Sequence, residues 1–150
     1  MVLARNLNGD LFVIGNICET SLAQIELGEG PNGDARKWDS TILAPDAVSG
    51  WFQVRLDPLS AGYTLEEGSA DPAALTPPLF VRFWLADSPP GQGSGYYGHQ
   101  VFDRLPQNGM AMFMPEGGAA GLQEVPISEV PTSLTGQCPA TERSFEIGSE

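Results

Sequence analysis

A chain of 150 residues is long enough for one domain with a hydrophobic core, burying roughly 70% of the surface that its unfolded form exposes. Acidic residues outnumber basic ones 19 to 7, for a formal charge of −12. Binding to phosphate backbones and anionic lipids depends on Lys and Arg, so DNA, RNA and anionic membranes are excluded as expected partners.

Seven Phe and three Trp are too much aromatic material for a disordered chain. The 18 Gly and 13 Pro exceed their average combined share of roughly 12%. They fall between short apolar runs, which is the punctuation of strands and turns.

In chain order, residues 1–7 lack the apolar core of a secretion signal, and no stretch approaches the ~18 apolar residues of a membrane span. The expected location is therefore cytoplasmic, or within an assembled particle such as a virion. Asn8-Gly9-Asp10 reads as a turn, followed by a strand over 11–14. Residues 21–27 alternate on one face through Ala23, Ile25 and Leu27, although Leu22 blurs the pattern, with a helix capped by Thr20 as the competing form. The clearest half-buried strand is 51–57, where Phe52, Val54 and Leu56 face one way and Gln53 and Arg55 the other.

Residues 79–86 are apolar on both faces: Leu79, Val81, Phe83 and Leu85 on one, Phe80, Arg82 and Trp84 on the other. That predicts a strand in the middle of a sheet, covered on each side. Further strands are predicted over 96–102, 109–114, 122–127 and 144–147, with Pro126 confining its strand to an edge. One short helical turn is predicted at Asp71-Pro72. Seven or eight short strands without long helices predict an all-β fold, an antiparallel β-sandwich or jelly roll. The domain is expected over residues 1–125, with a Pro-containing C-terminal arm over 126–150.

Few residues suggest chemistry. His99 is the sole imidazole, so one chain cannot build a multi-histidine metal site. Ser94 lies near it, but Gln92 stands where a nucleophile elbow needs Gly, and no helix follows. The Gly-rich run 88–98 has no following Lys or helix and so is no phosphate loop. It ends in Tyr96-Tyr97, and tyrosines beside glycines suit adaptable contacts; the plainer alternative is a hairpin loop leading into a strand.

Glu66, Glu67, Asp71 and Asp57 could hold calcium in a loop, although like charges more commonly just face water. Met110, Met112 and Met114 share a strand face, as core or as subunit contact. Cys18 and Cys138 would close a loop worth about 4–5 kcal/mol if bridged; without a secretion signal, reduced thiols are expected.

These features predict a non-enzymatic structural or interaction protein that needs no cofactor and no metal. It would dock with protein partners in a larger assembly, capsid-decorating and tail proteins being examples, with homo-oligomerisation one form of that. The expected contact residues are Trp38, Tyr96, Tyr97 and His99. Two alternatives are a carbohydrate or small-ligand module stacking Trp38, Trp51, Tyr96 or Tyr97 on its ligand, and a carboxylate-based hydrolase.

Overall fold

The computed structural model describes residues 1–29, 37–46, 48–71, 74, 76–86, 96–114 and 121–130. Within its strands, the side chains of residues 16, 18–20, 29, 37–39, 49 and 96–99 lie outside that description. The nine described strands are β1 (Val2–Arg5), β2 (Leu11–Glu29), β3 (Lys37–Leu43), β4 (Ser49–Arg55), β5 (Thr64–Glu67), β6 (Leu79–Leu85), β7 (Tyr96–Phe102), β8 (Met110–Phe113) and β9 (Gln123–Pro126). Every pairing is antiparallel. The fold is an all-β sandwich, as the sequence predicts.

β2 organises it. The two predicted strands 11–14 and 21–27 are one 19-residue strand. Its first half pairs with β1 and β4, and its second half with β3 and β6. A register shift between Asn16 and Ser21 separates the halves. Sheet A therefore runs β4-β2-β1-β8-β9, and sheet B runs β5-β3-β2-β6-β7. Residues 21–27 are strand and not helix, but the inward row is Leu22, Ile25 and Leu27 and not Ala23, Ile25 and Leu27, because the register shifts between Leu22 and Gln24. Ala23 is half-buried, and Gln24 and Glu26 stay out of the core.

The turn into β2 is built by Asn6. Its side-chain oxygen accepts from the backbone N–H of Asn8 (3.0 Å) and Asp10 (2.8 Å). Gly9 follows with φ +92, a left-handed conformation that glycine adopts at no steric cost.

The inner faces of the two sheets meet in the main core. Leu3, Leu11, Val13, Ile17, Phe52, Val54 and Met112 from sheet A pack with Ile25, Leu27, Ile42, Leu79, Val81, Phe83 and Phe102 from sheet B. Each large apolar side chain buried this way contributes roughly 1.5–3 kcal/mol. Phe52 and Phe83 meet edge to face across the gap, with centroids 4.9 Å apart. Gly15 lies on the same inward row as Val13 and Ile17, where the two rings occupy the space a side chain would take. Of the three aligned methionines, Met112 is core, Met110 is half-buried and Met114 is exposed.

A second apolar cluster lies on the opposite face of sheet A: Val2, Ala4, Phe12, Ile14, Ala111 and Phe113, all buried. The strand at 11–14 is thus apolar on both faces for the same reason that β6 is. β6 pairs with β2 on one side and β7 on the other, in mid-sheet as its pattern predicts. β9 is the edge of sheet A among the described strands, consistent with Pro126. No described helix is long and apolar enough to cross a membrane. The predicted strand 144–147 and residues 131–150 of the predicted arm lie outside the described residues. So do Pro72 and Ala73; next to them, the Ala74 N–H donates to the Asp71 carbonyl at 2.9 Å.

Candidate functional site

The face of sheet B that points away from the core holds the most concentrated chemistry in the described chain. Alternation along β6 sends Leu79, Val81 and Phe83 inward, leaving Phe80, Arg82 and Trp84 on the outer face. Alternation along β2 places Gln24 and Glu26 beside them, with Glu26 opposite Arg82 and Gln24 opposite Trp84 in the ladder.

Arg82 and Glu26 form a cross-strand ion pair in which Nε and Nη2 of Arg82 both donate to Oε2 of Glu26. The other carboxylate oxygen, Oε1, accepts from Nε2 of Gln24 at 2.9 Å. The Arg82 guanidinium also sits 4.8 Å from the centre of the Trp84 ring, within cation–π range. Both charged side chains are mostly shielded, Arg82 being 20% exposed and Glu26 12%. A pair held this way is stronger than one in open water and keeps its geometry. Phe80 is fully buried between Gly28 of β2 and Val101 of β7 in the ladder.

The register of the neighbouring strands brings three of the four sequence-derived contact positions to this sheet's middle rows. His99 is the β7 partner of Arg82, and Tyr96 is the β7 partner of Trp84. Tyr97 falls at the register irregularity between those two pairs. Trp38 is the β3 partner of Gly28, which in turn faces Phe80. The side chains of these four residues lie outside the description, as does the Gly-rich segment 87–95 with Ser94. Tyr96 and Tyr97 have backbones within β7, the strand predicted over 96–102, which agrees with the plainer reading in which the tyrosines begin the next strand.

Other candidates are more dispersed. Trp51 packs against the outer cluster of sheet A, on a different sheet from the positions above. Asp57, Glu66, Glu67 and Asp71 are all exposed, and Glu66 and Glu67 belong to the edge strand β5. Among the described residues, no group of three or more His, Cys, Asp or Glu side chains is placed to hold a metal ion. The Cys18 side chain and Cys138 lie outside the described residues.

Sequence reasoning put Phe80, Arg82 and Trp84 on one face but missed Glu26 and Gln24. Their signal was present in the alternation of 21–27, whose polar row was not matched to a partner. Compared with protein-family models, with curated proteins and with solved structures, the chain matches none of them. The class it can be assigned to is an antiparallel β-sandwich.

Proposed function

We propose that this protein is a non-enzymatic interaction module, a β-sandwich that docks through the outer face of sheet B onto a basic protein surface within a larger assembly. The observation that carries this is the shielded Arg82–Glu26 pair stacked on Trp84. Arg and Trp are the residue types that most often anchor protein interfaces, because they combine large contact area with directional hydrogen bonds. A charge pair already fixed in place requires little ordering on docking. The charge of −12 favours a basic partner and speeds encounter with it. By analogy at the level of fold alone, subunits of particles such as virions, including capsid-decorating and tail proteins, are settings for such a module.

The test is the mass of the complex that holds the chain in its native source, followed by Arg82→Ala and Trp84→Ala variants whose folding is checked by circular dichroism. The expected result is a complex far above 16.0 kDa that weakens at high salt and loses roughly tenfold or more in affinity with either variant. A 16.0 kDa monomer, or folded variants that bind unchanged, would sink the proposal. A monomer that binds an immobilised glycan through Trp84 would point to the carbohydrate module instead.

A further inference from the structure

The edge of sheet B raises a question separate from its face. β5 pairs with β3 on one side, and among the described residues nothing pairs with its other side. An open edge presents a row of backbone N–H and C=O groups that a further strand can pair with. Thr64, Leu65, Glu66 and Glu67 are all exposed, and none of them is a proline that would block such pairing.

The side chains along this edge select what can be added. Leu65 is opposite Ile42, which is buried in the core, so Leu65 stands on the core side of the sheet. At the rim it is nevertheless 37% exposed. Glu67 is opposite Thr41, which is in turn opposite Glu26, so Glu67 stands on the outer side. The register shift leaves Glu66 between them without a ladder partner on β3. From Leu56 to Val81 the chain carries Asp57, Glu66, Glu67 and Asp71 and no Lys or Arg. All of those carboxylates are exposed. A second copy's β5 would bring carboxylates against carboxylates, whereas a strand with Lys or Arg would meet opposite charge.

We propose that β5 is a docking edge for an extended segment of another protein in which Lys or Arg alternates with apolar residues. The segment joins sheet B as an added strand, its backbone paired with that of β5. Because side chains alternate between faces, its apolar residues cover Leu65 while its basic residues lie with Glu67 on the outer side. This concerns the edge of the sheet and not the Arg82–Trp84 face, and either proposal can fail without the other.

The test titrates the full chain, labelled with nitrogen-15, with an end-capped peptide of sequence Thr-Lys-Val-Lys-Val-Lys-Thr. A control peptide is N-methylated at both valines and the central lysine, which keeps the charge but removes ladder donors. The expected result is that the Thr64 to Glu67 amides shift and become protected from exchange. N-methylation should abolish this, and the double variant Glu66→Lys/Glu67→Lys should weaken it by about tenfold or more. Both glutamates are exposed, and circular dichroism checks that the variant keeps its fold. No change at β5 up to about 1 mM peptide, or equal binding of the N-methylated peptide, would overturn the proposal. Shifts centred on Arg82 and Trp84 would also overturn it, and would assign the basic segment to the outer face alone.

Discussion

At the scale of single residues, Gly15 shows how a position is set by a distant part of the chain. A Cβ there would lie 2.5 Å from Cε2 of Phe83 and 2.9 Å from Cζ of Phe52, closer than real contacts permit. We expect Gly15→Ala to lower stability by about 1–3 kcal/mol, the usual cost of overpacking, measured by urea denaturation. Adding Phe83→Leu should recover part of that loss, because the two positions share one volume. An unchanged midpoint in Gly15→Ala would mean that the rings yield freely. Nothing in the local sequence announces this: a glycine between Ile14 and Asn16 reads as punctuation, and its need arises from a ring on the other sheet. Ser40 is similar. Its buried hydroxyl donates to the Ser69 carbonyl at 2.6 Å and accepts from the Ser69 N–H at 2.9 Å, a pairing that no local pattern encodes.

At the scale of elements, legibility followed burial. β4, β6 and β7 could be read because water on one side, or apolar cover on both, leaves a pattern of period two. β5 could not, since all four of its residues are exposed and no hydrophobic row marks it. β3 mixes Lys37, Asp39 and Ser40 with Trp38 and Ile42 and contains a register shift, which scrambles alternation. β1 is four residues long and apolar on both faces, too short to show a period.

The ion pair was half legible: Arg82 stood out on its strand, but its partner lies 56 positions away and only the ladder joins them. We expect Glu26→Ala to cost about 1–3 kcal/mol, reduced from the full cost of breaking a buried pair because both groups keep some contact with water. Glu26→Gln should cost less, since an amide oxygen still accepts from Arg82. A double-mutant cycle with Arg82→Ala separates the pair's coupling from the loss of packing on Trp84. A coupling near zero would show that the pair is incidental to stability.

At the scale of the whole molecule, the excess of 19 acidic over 7 basic residues opposes the compact state through self-repulsion. Screening relieves it, because the Debye length falls from roughly 30 Å at 0.01 M salt to about 10 Å at 0.1 M. The melting midpoint should therefore rise by a few degrees over that range, as read by differential scanning calorimetry. A fall would mean that specific pairs such as Arg82–Glu26 outweigh the general repulsion. Fold class was legible at this scale because strand length, turn residues and scarcity of helix all agree. Which residues share the outer face of sheet B was not, since that depends on the register between strands far apart in the chain.

The strand shared by both sheets bears on how the molecule opens. With β2 hydrogen-bonded in sheet A through its first half and in sheet B through its second, neither sheet can detach without stripping half of that strand. The strand passes from one sheet to the other at the register shift between Asn16 and Ser21. Exchange with solvent deuterium should begin at that joint, while the two halves of β2 are released together, at the same opening free energy, as one unit.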